Sequence, residues 1–205
     1  MIDRIENLFQ IAVLLVCVSV ALSRAIRQHS RTWTLLAFYY GCWILGDLYW
    51  LLCLIFFGAT PLVSVVSDLS WYAAFILLYL LLRMTAPPGS HREKRLLPWL
   101  GLAFTLGMAA FFIQWGEYIS NLVYAGLMGL LLFSSIRRLM DAQDYPAQRS
   151  LCTAILIVCM LIYGLWVSSC FMKAEVITEP YYWFDFLLTL SFVLLLPATK
   201  KAVAE

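Results

Sequence analysis

Carboxylates at Asp47, Asp68 and Asp185 stand inside runs so apolar that each run reads as a membrane span. A carboxylate in hydrocarbon costs at least ~2.5 kcal/mol on the mildest insertion scale, so it persists where it faces a polar interior. Each acid has aromatic company. Asp47 is followed by Tyr49 and Trp50, Asp68 by Trp71 and Tyr72, and Asp185 is preceded by Tyr181, Tyr182 and Trp183. Residues three or four apart share a helix face, which puts Trp50 and Trp71 one turn from Asp47 and Asp68. Acids beside electron-rich rings, with no cation inside the spans, are the combination expected of a cation or amine pocket. The expected ligand-binding set is Asp47, Asp68 and Asp185, walled by Trp50, Trp71 and Tyr72, with Tyr40 and Tyr163 as polar residues beneath.

Each acid also has a plainer reading. Tyr and Trp gather at the interfaces of any membrane protein, and Asp185 is shallow enough to be hydrated. Asp68, following Pro61 and Ser67, can cap a helix by accepting from free backbone amides. Asp47 is harder to explain this way, because it lies in mid-helix behind Gly46, a residue that lets a neighbouring helix approach closely. Glu117 joins the acids on the same side, at the surface, in the Gly116-Glu117-Tyr118 turn.

Other chemistries find little support. His29 and His91 both fall in loops, so neither haem nor zinc is expected in the bilayer, and no lysine precedes Lys200 in the last span to form a retinal-type Schiff base. Ser134-Ser135 and Ser168-Ser169 lack a nearby His or Lys, so no serine nucleophile is indicated. Six cysteines (Cys17, Cys42, Cys53, Cys152, Cys159, Cys170) lie within spans without C-x-x-C spacing and read as buried thiols, with a Cys53 to Cys170 disulfide left open. Asn121 and Gln114 are expected to satisfy each other or nearby backbone, and Gly126 and Gly129 with Ala125 to form a close-packing face. No catalytic residue, metal or cofactor is assigned.

The elements that must position these residues follow from composition. The chain has 205 residues, 63% hydrophobic and 13% charged, too apolar for a water-soluble core of that size. Spans of ~17–25 apolar residues cross a bilayer, and seven can be drawn, at about 8–23, 33–57, 62–82, 96–115, 118–136, 151–172 and 181–197. The expected fold is all-α, a single polytopic bundle of seven transmembrane helices in the cell's inner (cytoplasmic) membrane, with the lipid bilayer as its first partner. Twelve of the fourteen basic residues fall on one side of this plan, among them Arg24, Arg83, Arg92, Lys94, Arg95, Arg137 and Lys200, leaving Arg4 and Lys173 on the other. Basic loops stay cytoplasmic, so the N-terminus is expected outside and the C-terminus inside. The net charge of +2 is then a topology signal and not a sign of nucleic-acid binding. The first span follows a non-positive n-region and reads as a retained helix.

The two halves of the chain look alike. Tyr40-Gly41-Cys42-Trp43 and Tyr163-Gly164-Leu165-Trp166 stand at similar depth, and Asp68 precedes Arg83 by the same interval as Asp185 precedes Lys200. Either spans 1–3 and 5–7 are parallel repeats joined by span 4, a three-plus-one-plus-three plan, or common membrane residues coincide. The longest hydrophilic connectors, Arg83–Arg95 with Pro87-Pro88-Gly89 and Arg137–Arg149, are too short to fold alone. Any signal would then pass to a cytoplasmic or membrane partner protein.

The stretch Gly46-Asp47-Leu48-Tyr49-Trp50, Gly58-Ala59-Thr60-Pro61 and Ser64-Val65-Val66-Ser67-Asp68-Leu69-Ser70-Trp71-Tyr72 resembles the multi-helix N-terminal membrane sensor regions of bacterial diguanylate cyclases and phosphodiesterases. The resemblance covers the second and third spans and implies a bacterial membrane sensory module, with no cytoplasmic output domain expected beside it. A fainter likeness, in the Gly-Asp and Ser-Asp elements, is to lysoplasmalogenase-type membrane hydrolases, where two carboxylates could act as acid and base. The expected function is a seven-helix sensor or receptor-like protein that binds a small polar or cationic ligand in an outward-facing pocket. A small-molecule transporter and an intramembrane lipid hydrolase using paired aspartates are the alternatives.

Overall fold

Backbone amides in hydrocarbon are satisfied only inside a helix or a closed barrel, and this chain takes the helical course. The computed structural model describes residues 2–61, 64–85, 96–115, 117–142, 145–173 and 176–204. They form α1 (Ile2–Gln28), α2 (Arg31–Phe56), α3 (Val65–Met84), α4 (Leu97–Phe112), α5 (Tyr118–Asp141), α6 (Pro146–Phe171) and α7 (Pro180–Ala204), with no strand among the described residues. Residues 62–63, Pro87-Pro88-Gly89, His91, Arg92, Lys94, Arg95 and Gly116 lie outside the described residues.

Six of these helices are long and apolar enough to cross a membrane. The exception is α4, whose 16 residues rise only ~24 Å against a hydrocarbon core of ~30 Å. Where a span was expected over 96–115, the helix stops at Phe112 and a turn follows, with Trp115 N–H donating to the Phe112 carbonyl at 2.8 Å. The Asn121 amide from α5 donates to the Phe112 and Trp115 carbonyls at 2.8 and 2.6 Å. Asn121 therefore closes the end of α4, and Gln114 is not its partner.

The helix bounds differ most at α1, which begins at Ile2 and not near residue 8. Asp3, Glu6, Asn7 and Gln10 recur at intervals of three and four, one polar stripe on a helix, and Asn7 and Gln10 are buried. The stripe has an interior to face, which lets the helix extend through residues that look like a hydrophilic leader. At its other end, α1 stops at His29, whose positive φ of 46° is the left-handed conformation common after helix C-termini.

Six helices close into a ring. α1 packs on α2, α2 on α3, α3 on α5, α5 on α6, α6 on α7, and α7 returns to α1; across the ring α2 touches α7 and α3 touches α6. α4 lies outside, packed along α5, and sends Phe104 and Phe112 against Tyr163 and Trp166 of α6. Gly129 permits the α4–α5 approach, since a Cβ there would stand 3.3 Å from Thr105 Cγ2. Gly126 faces open space, so the expected close-packing face reduces to Gly129.

Within the ring α3 runs parallel to α5 and α7 parallel to α1, the other neighbours being antiparallel, and charge is sorted to two ends. One end gathers Arg24, Arg31, Arg83, Arg138, Arg149 and Lys200 at helix termini. There the Arg138 guanidinium donates to the Leu82 carbonyl at 2.6 Å, and the Arg24 guanidinium sits 4.6 Å over the Trp33 ring. The half of the ring nearer this basic end is filled by fully buried side chains such as Leu36, Tyr40, Leu78, Leu82, Leu131 and Leu195. All six cysteines are free, Cys53 and Cys170 included. The opposite, acidic end is hollow.

Candidate functional site

A cavity of about 690 Å³ opens inside the ring at the acidic end. Six of the eight expected residues line it: Asp47, Trp50, Asp68, Trp71, Tyr163 and Asp185. Tyr72 and Tyr40 do not. Tyr72 instead shares a 2.6 Å hydrogen bond with Ser120, and Tyr40, deeper in α2, donates to the Phe192 carbonyl at 2.7 Å and ties α2 to α7. No Lys, Arg or His appears among the described lining residues.

Asp47 is the deep member. It stands nine residues before the end of α2, ~14 Å along the helix axis, and is only 3% exposed. Its Oδ2 has no hydrogen-bond partner among the described residues. Gly46 beside it permits a tight fit, since a Cβ at that position would stand 2.5 Å from Trp71 Nε1. The absent side chain lets the Trp71 indole of α3 lie against the α2 backbone one residue from the carboxylate.

Asp185 is also buried, at 4% exposure, which corrects the expectation that it is shallow enough to be hydrated. It belongs to a cluster on the α7/α1 seam. The Gln10 amide donates to Asp185 Oδ1 at 3.4 Å and to Thr189 Oγ1 at 3.2 Å, and the Glu6 carboxyl lies against Asp185. Asp47 lines the same cavity. Asp185 Oδ2 and Glu6 Oε2 both lack partners among the described residues. All three residues line the one cavity, and each keeps an oxygen shut off from solvent with no partner among the described residues, an arrangement that low-dielectric surroundings make costly.

Asp68 has a different setting. On the α3/α5 seam it accepts from Ser64 Oγ at 2.7 Å and Ser120 Oγ at 3.0 Å through Oδ2, and from Tyr124 Oη at 2.9 Å through Oδ1. The expected capping role is not what the side chain does, because its oxygens engage hydroxyls and two of the three come from α5. Asp68 fastens two helices together at the cavity wall.

Rings supply the rest of the surface. Trp71 packs between Trp43 and Trp50, with centroids 5.9 and 6.1 Å away, and Trp166 meets Tyr124 at 4.8 Å. Trp43 and Trp166, from the two look-alike motifs of α2 and α6, both reach the cavity. Tryptophan faces are the strongest aromatic partners for a cation.

Sequence reasoning missed Glu6, Gln10, Ser120 and Tyr124. The first two carried a legible signal, the polar stripe at the start of α1, obscured by ending the helix at its first apolar residue. Ser120 and Tyr124 carried none, since only the α3/α5 contact makes them partners of Asp68. No group of three or more His, Cys, Asp or Glu among the described residues could hold a metal ion. What the cavity can do chemically is accept hydrogen bonds and balance positive charge. In comparisons with known proteins, no family model, curated protein or solved structure matches the chain.

Proposed function

We propose that this chain is a sensor or receptor-like protein of the bacterial inner membrane that takes a small polar or cationic ligand into its acidic, aromatic cavity. The observation that carries the reading is Asp47, a nearly inaccessible carboxylate with an unpaired oxygen, in a cavity whose described lining has no basic side chain. A bound ammonium would supply the missing donor and charge together. Basic residues at the opposite end support a cytoplasmic location for that end, an orientation in which the cavity opens outward with the N-terminus outside. The packed half of the ring beneath it favours ligand binding at one face over a through-path, and helix movement would be read by a partner at the basic loops. The resemblance of α2 and α3 to bacterial membrane sensor regions agrees with this.

A second reading, a small-molecule transporter, draws on the packing pattern. Exchanging α1, α2 and α3 for α5, α6 and α7 maps every helix contact of the ring onto another: α1–α2 onto α5–α6, α2–α3 onto α6–α7, α3–α5 onto α7–α1, and α2–α7 onto α6–α3. α4 stands apart as the linker. This supports two parallel three-helix repeats about an axis through the cavity, an architecture suited to rocking one half against the other. The hydrolase alternative gains no such support, because Asp68 is committed to three hydroxyls.

The test is thermal stabilisation of the detergent-purified protein by primary and quaternary amines. The reading expects an amine that raises the melting temperature of wild type and not of Asp47→Asn; equal shifts in both would remove it. Uptake of that amine into proteoliposomes would decide for transport, and binding without uptake for sensing.

A further inference from the structure

We infer that the occupant is an elongated dication, a linear α,ω-diammonium chain, with one ammonium at each of two acidic poles on opposite seams of the ring. The inference rests on the cavity being a cation site and goes further by specifying the number and placement of positive charges.

The first pole is the α7/α1 seam, where Asp185 lies with Glu6 and Gln10, with Asp47 of α2 lining the same cavity. Here the unsatisfied atoms are concentrated: Asp47 Oδ2, Asp185 Oδ2 and Glu6 Oε2, with Asp47 and Asp185 only 3% and 4% exposed. Several carboxyl oxygens without donors call for a group with several N–H bonds, and a primary ammonium has three. The second pole is the α3/α5 seam, where Asp68 is fixed as an acceptor by Ser64, Ser120 and Tyr124 and Glu117 adds an acid at the rim. Both poles line the same cavity.

In a six-helix ring ordered α1, α2, α3, α5, α6, α7, the seams α7/α1 and α3/α5 face each other. Neighbouring helix axes stand ~8–10 Å apart, so the two acidic poles are separated by on the order of 10 Å once inward-reaching side chains are allowed for. A compact monocation at one pole leaves the other uncompensated. A methylene chain bearing a charge at each end reaches both, and the surface between the poles is formed by Trp43, Trp71 and Trp166, apolar faces that suit methylenes and favour nearby cations.

The probes are linear α,ω-diamines from ethylenediamine to octamethylenediamine, with n-butylamine as the monocation, titrated by calorimetry into wild-type protein in detergent. The expected result is an optimum at an intermediate chain length, with the best diamine binding at least tenfold more tightly than n-butylamine. Asp185→Asn is expected to bring the best diamine down to the affinity of the monoamine. Because Asp68 also holds α3 to α5, the wild-type comparison of diamine with monoamine decides the matter without relying on that position. Equal affinity for diamines and n-butylamine, or affinity that rises steadily with methylene number, would overturn the dication while leaving a cation pocket in place. Absence of binding by every amine would remove the cation pocket and the dication with it.

Discussion

Tyr124 of α5 donates its phenolic hydrogen to Asp68 Oδ1 of α3 across 2.9 Å. The bond joins α3 to α5 across one seam of the ring, and on the opposite seam the Gln10 amide of α1 reaches Asp185 of α7. In each case the aspartate is met by a pair of residues four apart on the opposing helix, Ser120 and Tyr124 on α5, Glu6 and Gln10 on α1. The seams differ in how fully they are satisfied. One is closed by hydroxyls, and the other keeps carboxyl oxygens in reserve.

Removing the donor on the closed seam is expected to loosen the bundle. Tyr124→Phe keeps the ring packing of Tyr124 against Tyr72 and Trp166 and deletes one hydrogen bond to a carboxylate. The expected loss is about 1 kcal/mol, within the range for polar contacts between membrane helices. Unfolding from mixed micelles by increasing SDS would measure it. A double-mutant cycle with Asp68→Asn should show coupling of about 0.5–1.5 kcal/mol; strict additivity would mean the bond contributes nothing.

Asp47 is expected to behave in the opposite way. Its Oδ2 has no partner among the described residues and the side chain is only 3% exposed, so Asp47→Asn replaces a buried, unpaired carboxyl with a neutral amide and should hold or raise the melting temperature of the empty protein. The same substitution should abolish stabilisation by amines. A fall in the melting temperature of the unliganded variant would instead make Asp47 a structural residue.

Gly46 and Gly164 are expected to tolerate no side chain. A Cβ at Gly46 would stand 2.5 Å from Trp71 Nε1, and one at Gly164 2.4 Å from Phe184 Cε1, and both neighbours are rigid rings. Gly46→Ala should therefore destabilise by about 1–3 kcal/mol, reported by SDS unfolding, and should also push Trp71 into the cavity and weaken amine binding. Gly41→Ala, where a Cβ meets nothing within 4 Å, is the control and should be near neutral.

Cys170 is a built-in reporter of which face the cavity opens to. It lines the cavity and is partly exposed, whereas Cys152 and Cys159 are buried nearer the basic end of the same helix. In a variant keeping only Cys170, a charged, membrane-impermeant methanethiosulfonate added outside intact cells or right-side-out vesicles should label it, and a bound amine should slow the labelling. Labelling only after the inner face is exposed would reverse the proposed orientation.

Membrane location, helical class and the sorting of charge to two ends were legible from residue types alone. Hydropathy needs no partner to be read, and twelve of the fourteen basic residues fall on one side of the plan. Asp47, Asp68 and Asp185 were recognisable as site candidates for the same local reason, a charge in an apolar run. Their roles were not legible. Whether Asp68 is a clamp and Asp47 an open acceptor depends on which helices touch, and the apolar faces that decide this look alike on every helix. Glu6 and Gln10 belong to the site only because α7 returns to α1, a contact between residues at opposite ends of the chain. The short α4 left outside the ring, the unpaired oxygens and the cavity itself are likewise products of packing. The sequence by itself determined what must be hidden from lipid; the tertiary structure decided which hidden groups found partners and which were left facing a space.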